Sequence, residues 1–155
     1  MNTVRIDSHI LHILKVLSEP LSRIGLFVVF FWFGFIKIIG LSPAEGLVIE
    51  LLDSVFALQS TAFVVGLGVF ECIVGILFLI KGTERVVLPL LFVHMLTTFG
   101  PLIFLPELSW QGIMVPTLEG QYIIKNLLII AVAVTVAARL HPIHKSLNKH
   151  GHKIT

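Results

Sequence analysis

The sequence predicts an all-α protein, an integral membrane four-helix bundle with short amphipathic interfacial helices. Two observations carry this prediction. Of the 155 residues, 56% are hydrophobic and only 13% are charged, against about 25% charged in ordinary soluble domains. Four apolar runs, Ile24–Ile39, Thr61–Ile80, Val86–Leu105 and Tyr122–Ala138, each approach the roughly 20 helical residues that cross a hydrocarbon core of about 30 Å. The four runs occupy most of the chain. Residues 1–155 therefore read as a single transmembrane domain whose partner is the lipid bilayer, with no room for a separate soluble domain.

The first element precedes the first run. Ile6, Ile10, Ile13, Leu14 and Leu17 recur at helical spacing opposite Arg5, His9, His12 and Lys15. This pattern predicts an amphipathic helix on the membrane surface that ends where Pro20 breaks it. The first run has no Ala-x-Ala-like cleavage site after it and reads as a retained span. Between the first two runs, Ser42, Pro43 and Glu45 have the order of an N-cap, a first helical proline and the third-position acid of a capping box. They predict a second interfacial helix with Leu47, Leu51, Leu52 and Val55 on its apolar face. In the third run, Gly100 and Pro101 are expected to interrupt the helix and free carbonyls there.

Charge sets the expected orientation, because short cytoplasmic loops retain Lys and Arg. Arg5, Lys15, Arg23, Lys81, Arg85, Arg139, Lys145, Lys149 and Lys153 flank one set of span ends, and Glu45, Glu50, Asp53, Glu107 and Glu119 flank the other. Both termini are therefore expected in the cytoplasm. The net charge of +2 reflects this sidedness, so no nucleic-acid partner is expected. The single cysteine, Cys72, excludes an internal disulfide and CxxC chemistry and reads as a small buried apolar residue. The histidines of the tail "HPIHKSLNKHGHK" lack a compact ligand spacing, and no metal is assigned to them.

Ionisable residues within spans are costly, about 2.5 to 3.5 kcal/mol each at the bilayer centre, so they usually face the bundle and have partners. Lys37, Glu71, His94 and Lys125 are such residues. Counting helical rise places Glu71 and His94 near mid-membrane and both lysines at one depth, about 9 Å below the outer boundary and a turn or so above Glu71. Two lysines are thus expected to approach one carboxylate. Gly68, Glu71 and Gly75 share a face that admits a neighbouring helix closely, and Gly34 precedes Lys37 by three residues. Tyr122 and Asn126, four residues apart, flank Lys125 and offer hydrogen bonds. Two meanings stay open for this set: a structural ion-pair network that fixes helix register, or a site for a ligand or a proton.

"FFWFGFIKIIGLSPAEGL", "TTFGPLIFLPELSW" and "EGQYIIKNLLII" resemble the YkgB family of small bacterial inner-membrane proteins, within the DoxX-like group, over roughly residues 15–140. Lys37, the Glu45-Gly46 pair, and Lys125 following Gly120 are the matching marks. The family typically has Gly-Arg-Phe and Lys-Asp where this chain has Gly120-Gln121-Tyr122 and Lys125-Asn126, a loss of one Arg and one carboxylate. The resemblance implies a four-helix bundle in the bacterial inner membrane and a link to reactive-chlorine and other oxidant stress, with no established reaction.

The chain has no haem ligand pair, flavin motif or nucleophile–base signature, so an independent enzyme is not expected. The expected function is resistance to reactive oxidants through a polar pocket that binds or passes a small amphiphile, a quinone or an oxidised metabolite. The candidate ligand-binding residues are Lys37, Glu45, Glu71, His94, Tyr122, Lys125 and Asn126, with no catalytic or metal residue. The alternative is a non-catalytic structural or adaptor subunit beside a membrane redox partner or in a homo-oligomer.

Overall fold

The computed structural model describes residues 2–140, with side chains from residue 7 onward. The order is α1 (Asn2–Ile38), α2 (Glu45–Phe56), α3 (Thr61–Leu79), α4 (Glu84–Thr98), α5 (Pro101–Phe104), α6 (Pro106–Ser109), β1 (Trp110–Gly112), β2 (Val115–Pro116) and α7 (Leu118–Ala137). Four of its helical segments, Asp7–Ile38, Thr61–Leu79, Glu84–Phe104 and Leu118–Ala137, are long and apolar enough to cross a membrane. They coincide with the four predicted runs, but the first extends much further toward the N-terminus and the last begins four residues earlier.

The separate helix expected before Pro20 is instead the beginning of α1, which runs 37 residues with Pro20 inside it. Proline removes one N–H from the helical ladder without forcing a break when nearby groups support the backbone. Here the hydroxyl of Ser18 donates to the Lys15 carbonyl at 3.0 Å and that of Ser22 to the Ser18 carbonyl at 2.7 Å. At 1.5 Å per residue α1 is about 55 Å long, well beyond a hydrocarbon core.

The predicted capping box also shifts. Ser42 Oγ accepts from the Ala44 N–H at 3.3 Å, closing a local turn, and α2 starts at Glu45 after an Ala44 N-cap with no side-chain cap bond. Serine's short reach lets it serve a neighbouring N–H in a turn as readily as a helix end. Of the predicted apolar face, Leu52 is buried, Leu47 and Leu51 are half-buried, and Val55 is exposed. Leu51 rests near Gly100.

The interruption at Gly100 and Pro101 occurs as expected, separating α4 from α5. Beyond it lies a short hairpin that the sequence did not announce, β1 paired antiparallel with β2. It is tied down by fully buried Ser109, whose hydroxyl donates to the Pro101 carbonyl at 2.9 Å, and by Trp110 Nε1 donating to the Leu102 carbonyl at 3.0 Å. Thr117 then caps α7 by accepting from the Gly120 N–H at 3.1 Å.

The core lies among α1, α3, α4 and α7, with Phe30, Val74, Phe78, Val87, Leu91 and Ala133 at its centre. Glycines set the spacing of α1 and α3. A Cβ at Gly34 would stand 2.5 Å from the Gly68 carbonyl oxygen, and one at Gly68 would stand 2.6 Å from the Gly34 carbonyl oxygen. Only glycine permits backbones this close. That approach brings α1 side chains to the level of Glu71.

Candidate functional site

Three buried faces converge. On α1 the buried residues are Arg23, Leu26, Phe30, Gly34 and Lys37; on α3 they include Val64, Gly68, Glu71, Gly75 and Phe78; on α4 they include Val87, Leu91 and His94. Each series steps by three or four residues, one side of a helix. The ionisable residues of these series, Arg23 and Lys37 on α1, Glu71 on α3 and His94 on α4, are thus turned inward by the same periodicity that turns their apolar neighbours inward.

At their meeting point Lys37 Nζ lies 2.6 Å from Glu71 Oε2, and His94 Nε2 lies 3.2 Å from Glu71 Oε1. Each carboxylate oxygen has one nitrogen, and the two nitrogens come from different helices. Lys37, Glu71 and His94 are 8%, 6% and 8% exposed. Aromatic rings wall the imidazole: the Phe30 centroid is 5.8 Å from it at an edge-on angle and the Phe70 centroid 5.6 Å away. In so dry a setting each bond is electrostatically strong, and removal of any one member leaves a costly orphan.

The expected second lysine is elsewhere. Lys125 is exposed and holds its Nζ 4.9 Å from the centroid of the Tyr122 ring, a cation–π contact. On α7 the inward positions are Gly120, Ile123, Ala133 and Val136. Lys125 follows Ile123 by two residues, a rotation of about 200° that turns it to the opposite side. Tyr122 is likewise exposed, while Asn126 and Glu45 are half-buried, and none of the three bonds to the Lys37–Glu71–His94 cluster. The structure therefore assembles three of the seven candidates. Cys72, half-buried rather than buried, directs its thiol to the Phe31 carbonyl at 3.5 Å.

A second cluster was not anticipated. Arg23 pairs with Glu84 through Nη2 and with Glu19 through Nε at 3.1 Å, and Nη1 donates to the Phe78 carbonyl at 3.3 Å. The second oxygen of Glu84 accepts from the Gly82 N–H at 2.8 Å. Arg139 donates to Ser18 Oγ and, at 3.4 Å, to the Lys15 carbonyl, and stands 4.0 Å from Glu19. The signal was present in the register: Arg23 opens the same inward series that ends at Lys37. In the sequence Arg23 reads only as one of the cations flanking the spans, and Glu84 carries no expectation.

Among the described residues no group of three or more His, Cys, Asp and Glu side chains is placed to hold a metal ion. The histidine-rich tail and its lysines lie outside the described residues. No family model, curated protein or solved structure matches the chain.

Proposed function

We propose that this is a bacterial inner-membrane protein of YkgB type that contributes to resistance to reactive oxidants, with both termini in the cytoplasm. Its working part, on this reading, is the Lys37–Glu71–His94 cluster, a polar site within the bundle for a small amphiphile such as a quinone or an oxidised metabolite. Several features support a bilayer setting. Four helices have spanning length and apolarity, and large side chains such as Trp32 (66% exposed), Leu96 (75%) and Leu128 (69%) face outward. Soluble monomers rarely display so much apolar surface.

The observation that carries the site is the pairing of one buried carboxylate with two nitrogen groups from separate helices. Lys37 is a donor suited to a carbonyl or phenolate oxygen, and Glu71 and His94 can accept or pass a proton between them. Ionisable groups at such depth commonly mark ligand or proton paths.

A second reading has its own support. Among the described residues no buried side-chain nitrogen or oxygen lacks a hydrogen-bond partner, which is also what a cluster built only to fix helix register requires. Glu71→Gln separates the two. A ligand or proton site predicts loss of survival after hypochlorite challenge at unchanged protein abundance. Full protection by the variant would leave the structural reading. The orientation is tested on a Cys72→Ala background: cysteine at Ile113, 97% exposed, should react with an impermeant thiol reagent from outside the membrane, and cysteine at Arg85 should not. Reversed labelling would overturn the assignment.

A further inference from the structure

A cavity of about 270 Å³ opens beside the second charged cluster, where α3 ends and α4 begins, next to the last turn of α7. Its charged lining is Glu19, Arg23, Lys81, Glu84 and Arg139. Both carboxylates are already engaged, Glu84 by Arg23 and Gly82, Glu19 by Arg23 and at longer range Arg139. Three cations against two carboxylates leave one positive charge uncompensated. Lys81 is exposed and forms no ion pair with a described residue. Val136 and Leu140 add an apolar wall on the α7 side.

We propose that this cavity holds a phosphodiester headgroup of net charge −1, supplied by an anionic phospholipid, with its phosphate between Lys81 and Arg139. The volume lies below the roughly 300–1,000 Å³ of sites that enclose a drug-sized ligand, which suits a headgroup whose acyl chains remain outside along Val136 and Leu140. The level is right as well. Leu79 and Glu84 are the limits of two candidate spans, so the cavity lies at the depth of the lipid headgroups, where basic pockets between spanning helices select acidic lipids. The inference requires that the helices cross a bilayer; it does not depend on the oxidant role.

The test uses the full chain purified in detergent and incubated with equimolar phosphatidylglycerol and phosphatidylcholine, followed by native mass spectrometry. Selective retention of phosphatidylglycerol is expected, with retention falling about fivefold in Lys81→Gln, the effect of one surface cation. A further drop is expected in Lys81→Gln with Arg139→Gln. Millimolar inorganic phosphate should not displace the lipid. Equal retention of the two lipids, or unchanged retention by a double variant with wild-type circular dichroism, overturns the site. Displacement by inorganic phosphate overturns the lipid as its source. Should the double variant misfold, lipid selectivity of the wild-type chain and the Lys81→Gln variant still decide the matter. Survival under hypochlorite is not the readout, so failure here is distinct from failure of the proposed oxidant site.

Discussion

The two charged clusters use the same chemistry in opposite arrangements. In the middle of the bundle one carboxylate, Glu71, serves two nitrogen groups, and all three members are less than 9% exposed. At the end where α3 and α7 stop and α4 starts, one guanidinium, Arg23, serves two carboxylates and a backbone carbonyl, and the outer members are open, with the Glu19 and Arg139 side chains 36% and 40% exposed. Both contain a buried pair bridging α1 to a neighbour, Lys37–Glu71 to α3 and Arg23–Glu84 to α4. The difference lies in what surrounds the pair. Water can replace a lost partner at the open end, whereas the central cluster is closed by Phe30, Phe70 and close glycine packing.

The largest effect is therefore expected at the centre. Lys37→Met leaves the Glu71 carboxylate buried with His94 alone and should destabilise the detergent-purified protein by about 3–5 kcal/mol, the usual cost of breaking one side of a buried pair. Adding Glu71→Gln should recover a substantial part of that loss, because the orphaned charge is gone. Thermal unfolding of the two variants measures the difference. Equal instability of the single and double variants would mean that Lys37 acts through packing of its stem and not through the carboxylate.

A smaller effect is expected at the open end. Glu19→Gln removes a partner that is over one-third exposed, and screening by water limits the loss to about 1 kcal/mol or less. The same unfolding measurement applies. A loss as large as that of Lys37→Met would show that the Arg23 cluster is as closed as the central one, and the contrast between the two regions would fail.

How much of this was legible in the sequence follows from what a sequence encodes. Helical rise is uniform, so axial depth can be counted, and the depths of Lys37, Glu71 and His94 were compatible. The close approach was legible for a similar reason, since Gly68, Glu71 and Gly75 at i, i+3 and i+7 mark one side of α3, and Gly34, three residues before Lys37, makes a small patch on α1. Azimuth is another matter. Lys125 had a suitable depth, yet which side of α7 faces the bundle depends on Gly120, whose added Cβ would collide with the Ser109 carbonyl, and on contacts formed by residues distant in sequence. Likewise Arg23 and Glu84, 61 positions apart, meet only once α1 and α4 pack. Pro20 does not end the helix although its local penalty is real: Ser18 and Ser22 bond the backbone beside it, a local signal, while the Arg139 contacts with the Lys15 carbonyl and Ser18 form only once α1 and α7 pack. The Trp110–Pro116 hairpin has too few residues for a period-two pattern to register.

The smallest effect is expected at Lys125, and it probes that distinction between depth and azimuth directly. Lys125 is exposed, its described contact is with the equally exposed Tyr122 ring, and exposed cation–π pairs contribute only about 0.5–1 kcal/mol. Lys125→Met should therefore unfold within about 1 kcal/mol of the wild-type chain, and its effect should add to that of Glu71→Gln in the double variant, as independent sites do. If depth alone had decided the matter, with both lysines on one carboxylate, the two substitutions would couple strongly and the double variant would be more stable than Lys125→Met by itself. Additivity within about 0.5 kcal/mol supports the geometry in which Lys37 and His94 alone share Glu71. Strong coupling would place Lys125 inside the bundle and require α7 to be rotated by about half a turn from the arrangement described, since a two-residue step along a helix separates inward Ile123 from outward Lys125.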